Sequence, residues 1–449
     1  MKNKELSLTD GVPLLKILIF CSPLFVVSLI SLVQTPILQS FYSSSKMGTL
    51  AFSIPAMFVS FWQVFQAFVS GFNIYSGVKV ASCRAAGDVV LEKKYFINSF
   101  FLTIFVKVVI SAFALVFYKP IFKLLSIPTE LYDIVFLYYV LHIVANILIN
   151  LCSVIADMYY GLGSVKSIFI LRTLSPILVI FTGVIFFKLF DLGIVGLTFL
   201  QVPASLFCIT FYFIILFGKK NGSKYSIKDF KIDFSVMKDI AKGSFVYTLR
   251  QVLITICAFI CQVKVNASLN DKELTAMGIG LPLGGIFVNF GSGFRLFATK
   301  NHTIKNFKFL KKGVNQTLIL LTSIALVCMG VYWFLGESYM AGIGLVGEYK
   351  TTAVEYWRYF ALFQFPALII LCSIRFMFEG AGFKNLAFMT GLAESFGYLL
   401  TAFIFIPCFG SVFAMNYSGV GYSISALFCL IFYFIKRKNI YGETFKKLT

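Results

Sequence analysis

A few ionisable side chains interrupt long apolar stretches of this 449-residue sequence, and they are the first candidates for chemistry. Glu394 lies ten residues beyond Lys384, which is about 15 Å along a helix that rises 1.5 Å per residue. A charge at such depth in a membrane helix costs about 2.5–3.5 kcal/mol on insertion scales. Glu394 is therefore a candidate for binding a cation or a substrate, with an ion pair to Arg375 as the structural alternative. Lys107 is as deep in its own stretch, but a flexible lysine can snorkel, which favours a structural role.

Neutral amides and one arginine form a second group of candidates, because they can bind a small molecule in a cleft between helices. The group comprises Gln34, Gln39, Gln63, Gln66, Asn73, Arg250, Gln251 and Asn289. Amides also join neighbouring membrane helices by hydrogen bonds worth about 1 kcal/mol or less each, so both interpretations stay open for these residues. His142, the histidine in an apolar stretch, is interpreted as a packed, hydrogen-bonded group rather than a proton relay.

The composition excludes a soluble protein, since 59% of the residues are hydrophobic and 13% are charged, against roughly a quarter charged in globular domains. Most of the ten cysteines lie inside apolar runs, no two form a CxxC pair, and the chain has two histidines. A zinc site or disulfide framework is therefore not expected, and no cofactor is predicted.

A membrane-spanning helix needs about 20 mostly apolar residues, and the sequence contains about twelve such stretches. They fall near residues 14–42, 48–76, 95–118, 131–161, 167–188, 192–217, 240–266, 272–297, 314–335, 352–379, 385–407 and 410–435. The predicted fold class is an all-α membrane protein.

The formal charge of +20 reports orientation rather than a nucleic-acid partner. Lysine and arginine concentrate after the second, sixth and eighth predicted spans and at the C-terminus, including Lys79, Arg84, the segment 219–242, Lys300–Lys312 and Lys436–Lys438. Because cytoplasmic loops carry the excess of basic residues, both termini are predicted to be cytoplasmic, which agrees with an even number of spans.

The chain divides into two similar halves. The polar stretch 218–238 is predicted to be a cytoplasmic linker between a six-helix lobe at 1–217 and a second at 239–449. Three short patterns recur at separations of 222, 218 and 219 residues: Ser70-Gly71-Phe72 with Ser292-Gly293-Phe294, Lys93-Lys94 with Lys311-Lys312, and Gly161 with Gly380. Repeats with an even number of helices share one orientation, so an axis along the membrane normal should relate the lobes, with a central cleft between them.

These patterns resemble the multidrug and toxic compound extrusion (MATE) family, within the superfamily that also contains lipid-linked oligosaccharide flippases. The matching segments are Ser70–Phe72 with Ser82–Asp88, the Leu124–Glu130 turn, Tyr160–Lys166 and Glu379–Lys384. Glu394 also stands where many members carry a glutamate in the eleventh helix. The sequence departs from the family in the first helix, because the stretch from Leu14 to Tyr42 holds no carboxylate where many members have a cation-binding aspartate.

The resemblance implies a multi-pass transporter of the cell inner membrane that acts as a monomer in the bilayer and is not an enzyme. It would export small organic compounds, cationic or amphipathic, by alternating access, with a sodium ion or proton as coupling ion. A flippase of a lipid-linked oligosaccharide or other lipid-linked precursor is the alternative, and the buried cations Lys107, Arg172, Arg250 and Arg375 keep it open. A membrane-embedded transferase is a minor alternative.

Two charged residues are predicted to form a structural ion pair. Asp157 lies six residues before Gly163 and Arg172 six residues after Lys166, so on consecutive antiparallel helices both sit about 9 Å inside the cytoplasmic end. Each single neutralisation, Asp157→Asn or Arg172→Gln, should reduce the yield of folded protein more than the double substitution does, because a lone buried charge is costly. Fluorescence-detected size exclusion measures this yield, and a double variant at least as impaired as the worse single variant would contradict the pairing.

Overall fold

The computed structural model describes residues 50–124, 129–162, 165–218, 225–270, 283–342 and 346–441, together with 12–18 and single residues between 21 and 41, at 127, and between 272 and 276. Within these ranges the secondary structure is helical and contains no strand. This confirms the predicted fold class.

The described α-helices fall into an earlier and a later set along the chain. The earlier set consists of α1 (Leu50–Ala86), α2 (Val89–Val116), α3 (Tyr118–Leu124), α4 (Tyr132–Leu162), α5 (Val165–Gly183), α6 (Gly193–Phe199) and α7 (Val202–Phe217). The later set consists of α8 (Phe234–Ser268), α9 (Gly284–Thr303), α10 (Phe307–Gly342), α11 (Gly347–Ile370), α12 (Phe376–Gly380), α13 (Lys384–Leu400), α14 (Ile406–Phe409), α15 (Ser411–Met415) and α16 (Tyr417–Ile440). Turns of π-helix extend α5 over Val184–Leu189, join α11 to α12 over Leu371–Arg375, and join α13 to α14 over Thr401–Phe405.

Nine helical segments in the described part of the chain are long and apolar enough to cross a membrane. They are Val89–Val116, Thr129–Tyr159, Ser167–Leu189, Gly193–Phe217, Phe234–Val265, Phe307–Ala341, Gly347–Gly380, Lys384–Phe409 and Tyr417–Ile440. Each overlaps one predicted span. The remaining three predicted spans, at 14–42, 48–76 and 272–297, include residues or side chains outside the described part, so twelve stays a prediction.

The helices form two compact units, and the boundary between them falls within α8. The N-terminal unit contains α1 to α7 and α8 up to Thr248, and the C-terminal unit contains α8 from Leu249 onward with α9 to α16. Residues 12–18, near the start of the chain, also belong to the C-terminal unit, where the Leu14 amide donates to Gln316 Oε1 at 2.8 Å. The compact units divide between Thr248 and Leu249, within α8. The predicted lobe boundaries at residues 217 and 239 stay a prediction.

Equivalent glycines make equivalent contacts in the two units. A Cβ placed on Gly161 at the end of α4 would lie 2.9 Å from the carbonyl oxygen of Gly77 on α1. A Cβ on Gly380 at the end of α12 would overlap the carbonyl oxygen of Arg295 on α9. In both units, therefore, the absence of a side chain lets a helix end press against the backbone of the helix two predicted spans earlier, as a duplicated chain would require.

The described part of the polar segment between the two halves packs on the start of α2. Lys93 Nζ donates to Asp229 Oδ2 at 2.9 Å, and the hydroxyl of buried Tyr225 donates to Glu92 Oε1 at 3.3 Å. The hydrogen bond from Lys93 lowers the pKa of Asp229, so this contact weakens only as the pH falls through that lowered value. The segment is therefore attached to the N-terminal unit by both polar and aromatic side chains.

The contact at Gly380 generates a test of the packing. Gly380→Ala should destabilise the protein by about 1–3 kcal/mol, the usual cost of overpacking, because the Arg295 carbonyl belongs to a helix backbone that cannot rotate away. Thermal unfolding of the detergent-purified protein measures the effect. Gly330→Ala on α10 is the matched control, since nothing lies within 4 Å of the added methyl group there. Equal unfolding temperatures for the two variants would contradict the close approach.

Candidate functional site

A buried carboxylate on α12 collects two arginines in the C-terminal unit. Arg250 on α8 donates from Nη1 to Glu379 Oε1 at 2.5 Å, and Arg295 on α9 donates from Nη1 to Glu379 Oε2 at 3.4 Å. The side chains are 3%, 6% and 1% exposed, in the order Arg250, Arg295 and Glu379. Because charge-assisted hydrogen bonds to a buried carboxylate are strong, Glu379 ties three helices together at one point.

A second ion pair extends this cluster. Arg375 Nη1 donates to Glu394 Oε2 at 2.7 Å, and Arg375 also interacts electrostatically with Glu379. Among the described residues the cluster thus contains three arginines and two glutamates, all on helices of the C-terminal unit.

Local backbone features position these side chains. Arg375 ends the π-helical turn Leu371–Arg375, and such single-turn insertions rotate the residues after them relative to a regular α-helix. Gly391 on α13 leaves room for the stem of Arg250, which a Cβ at that position would overlap. A side chain at position 391 would therefore displace Arg250, which binds Glu379.

The sequence identified part of this cluster and missed the rest. The sequence offers Arg375 as the structural partner of Glu394, and the structure pairs them. For Arg250 the sequence leaves cleft lining and interhelical hydrogen bonding open; the structure gives it a hydrogen bond to Glu379 on another helix, and cleft lining stays a prediction. Arg295 escaped notice because it lies two residues from the end of its predicted span, where a basic residue is ordinary. In the sequence Glu379 stands in the segment Glu379–Lys384, which carries part of the family resemblance. Its spacing of four residues from Arg375 on a helix was the available signal.

A separate polar cluster lies in the N-terminal unit. Lys107 on α2 donates from Nζ to Gln66 Oε1 on α1 at 3.3 Å and to Asn146 Oδ1 on α4 at 3.1 Å. Asn146 lies one helical turn from His142, with 3.5 Å between the Asn146 Nδ2 and His142 Nε2 atoms. The expectation that His142 is packed and hydrogen-bonded agrees with this arrangement.

The other candidate residues are distributed over both units. Gln39 lies outside the described residues. Among the remaining amides, Gln34, Gln251 and Asn289 are half-buried, Gln63 is exposed and Asn73 is buried. The structure therefore brings Gln66 to Lys107 and Arg250 to Glu379, and a role of the other amides in substrate binding stays a prediction.

Asp157 and Arg172 occupy the half-buried faces of two helices that pack together, α4 and α5. Both charges act electrostatically on the phenol of Tyr212 on α7. This common neighbour is compatible with the predicted ion pair between them, which stays a prediction.

The pair Arg375–Glu394 generates a stability test. Glu394→Gln should destabilise the protein by about 3–5 kcal/mol, because it removes the carboxylate that accepts the hydrogen bond from Arg375, and Arg375→Met/Glu394→Gln should lose less. Unfolding temperatures of the purified variants report this. The matched control is Glu337→Gln, which removes a carboxylate whose side chain is 62% exposed and 3.5 Å from Arg358, where a loss of at most about 1 kcal/mol is expected. A Glu394→Gln protein as stable as this control would contradict a structural pair.

Comparison with known proteins places this geometry in a family context. Residues 247–391 match the MatE family model. No curated protein sequence matches the chain significantly.

Solved structures match over nearly the whole chain. A MOP superfamily transporter from Pyrococcus furiosus Vc1 (DSM3638) has a TM-score of 0.86 at 15% identity, with 98% of this chain and 99% of that chain covered. A MATE structure in the straight conformation has a TM-score of 0.84 at 15% identity, with coverage of 98% and 99%. An outward-facing MATE family multidrug resistance transporter of the MOP superfamily has a TM-score of 0.82 at 14% identity, with both chains covered completely. At such low identity these structures establish the fold, and together with the MatE match they confirm that this chain resembles the MATE family and has the fold of MATE and MOP superfamily transporters.

Proposed function

We propose that this chain is a secondary active exporter that moves small amphipathic organic compounds across the cell membrane by alternating access, with an inward sodium or proton gradient as the driving force. The observation that carries the proposal is the fold, which matches MATE and MOP superfamily transporters over 98% or more of the chain. The nine apolar helices of the described part supply the membrane-spanning frame that such transport needs. Cytoplasmic termini and a monomeric state belong to the same proposal.

The buried charges favour a substrate with an anionic rather than a cationic group. Each of the three buried carboxylates among the described residues has an arginine close by: Glu92 lies 3.4 Å from Arg84, and Glu379 and Glu394 hold the pairs described above. An organic cation would have to compete with these arginines for the carboxylates, whereas an organic anion would be attracted by the arginines. The similar Pyrococcus furiosus transporter is itself described as having a binding pocket of reverse polarity that suggests a different function.

The arginine cluster also supports a second candidate function, a flippase of a lipid-linked precursor. Guanidinium groups bind phosphate oxygens in two parallel hydrogen bonds, and Arg250, Arg295 and Arg375 lie in one cluster. A lipid-linked diphosphate would supply the two negative charges that such a cluster could recognise.

Glu394 is the proposed coupling residue, with a condition set by its partner. Because Arg375 occupies one carboxylate oxygen at 2.7 Å, Glu394 takes part in coupling only in a conformation where this ion pair opens. If Glu394 couples transport in this way, Glu394→Gln should reduce gradient-driven transport more than the loss of folded protein alone explains.

Transport in proteoliposomes tests these proposals. We expect an imposed sodium or proton gradient to drive uptake of 2-naphthalenesulfonate faster than uptake of 2-naphthylmethyl-trimethylammonium, which has the same apolar body and the opposite charge. An ionophore that collapses the gradient should reduce uptake to the level measured in protein-free liposomes. The flippase would become the favoured function if two results are found together. The first is that neither compound is taken up under either gradient. The second is that an added phosphatase reaches a polyprenyl diphosphate in the liposomes without any gradient. Full gradient-driven transport by well-folded Glu394→Gln protein would exclude Glu394 from coupling.

A further inference from the structure

Lys107 is a buried cation that meets no counter-charge among the described residues. Its residue is 4% exposed, and its two hydrogen-bond partners, Gln66 and Asn146, are neutral amides on neighbouring helices. Within the described residues no carboxylate lies within 4 Å of its ammonium group. A buried lysine with neutral partners alone is costly to retain.

Further hydrogen-bonding capacity is left over on α2. Ser99, Thr103 and Lys107 recur every four residues and therefore share one face of α2. Ser99 and Thr103 are at most 1% exposed, and among the described residues no hydrogen bond is made by their hydroxyl oxygens.

Such unsatisfied groups indicate a site rather than a packed interface. Buried polar atoms in proteins are nearly always hydrogen-bonded, and each exception calls for a ligand, an ordered water or another explanation. A ligand with several acceptor oxygens would satisfy the Ser99 and Thr103 hydroxyls as donors and neutralise Lys107 at once. Carboxylate, sulfonate and phosphate groups have this chemistry.

Aromatic side chains border the polar groups. Trp62 on α1 stacks on the His142 ring with 4.7 Å between ring centroids, and Tyr138 lies 5.3 Å from the same ring. Trp62 is four residues before Gln66, so it shares the face of α1 that meets Lys107. The cation therefore lies beside a cluster of aromatic side chains, a setting that suits an anionic group attached to an aromatic or other apolar body.

We propose that Lys107, with Gln66, Asn146 and the hydroxyls of Ser99 and Thr103, binds the anionic group of the compound that this protein transports. The proposal rests on the proposed export function and gives it a substrate class, an organic anion with an apolar body. It replaces the structural role for Lys107 that the sequence favoured. A structural lysine would stabilise the fold without responding to anions, whereas a binding site gains stability when the anion is present.

Ligand-dependent unfolding separates these roles. We expect 2-naphthalenesulfonate to raise the unfolding temperature of the wild-type protein in detergent by about a few °C, increasing with concentration. Lys107→Met, which keeps the chain length and removes the charge, should lose this increase and unfold at the same or a higher temperature than wild type without the ligand. Lys107→Arg should retain at least part of the increase. Lys123→Met, a substitution of an exposed lysine in the same unit, is the matched control and should behave as wild type.

Two results would overturn the proposal. One is an equal shift with uncharged 2-naphthalenemethanol, or an equal shift in Lys107→Met, since either would show apolar partitioning alone. The other is no shift in the wild-type protein, or a Lys107→Met protein that is less stable than wild type without the ligand, as a structural lysine requires. Because binding in detergent needs no ion gradient, failure of gradient-driven transport with intact anion binding would count against the exporter and leave this site in place.

Discussion

The cost of placing a charge in an apolar environment constrains every part of this structure. In the C-terminal unit Glu379 forms ion pairs with two arginines and Glu394 with a third, and these pairs lower the free-energy cost of burying the charges. The arrangement follows from geometry as much as from charge, because an arginine fork can reach a carboxylate from another helix while its stem packs against apolar side chains. The cluster therefore joins the helices that carry it, and any movement of one of them changes the electrostatic balance of the others.

Glycine makes this charge cluster possible by letting the helices approach. Gly391 accommodates the stem of Arg250, and Gly380 presses against the carbonyl of Arg295. Both glycines thus lie beside arginines that bind Glu379. Close backbone approach with small residues is the usual basis of helix packing in membranes, where water does not drive apolar surfaces together. Here the same approach also sets the distances between the buried charges.

The two units share a packing pattern and differ in how they treat buried cations. Gly161 and Gly380 make corresponding helix contacts, as expected of a duplicated chain. In the C-terminal unit three arginines pair with two glutamates, whereas the partners of Lys107 in the described part of the N-terminal unit are two amides. The anion site that we propose at Lys107 lies in the unit whose buried lysine has amide partners.

Apolar length, basic loops and repeated glycine motifs were sufficient to predict the all-helical membrane fold and its family resemblance, because hydrophobic spans and their flanking charges act over short stretches of sequence. Depth along the helix also placed Arg375 and Glu394 within reach of each other. The sequence could not show that Arg295 joins Arg250 on Glu379, since the partners come from three helices and their meeting depends on helix rotation. Nor could it show that the described partners of Lys107 are the amides of Gln66 and Asn146. Partnership between buried charges depends on which helix faces turn toward each other, and only the tertiary structure decides that.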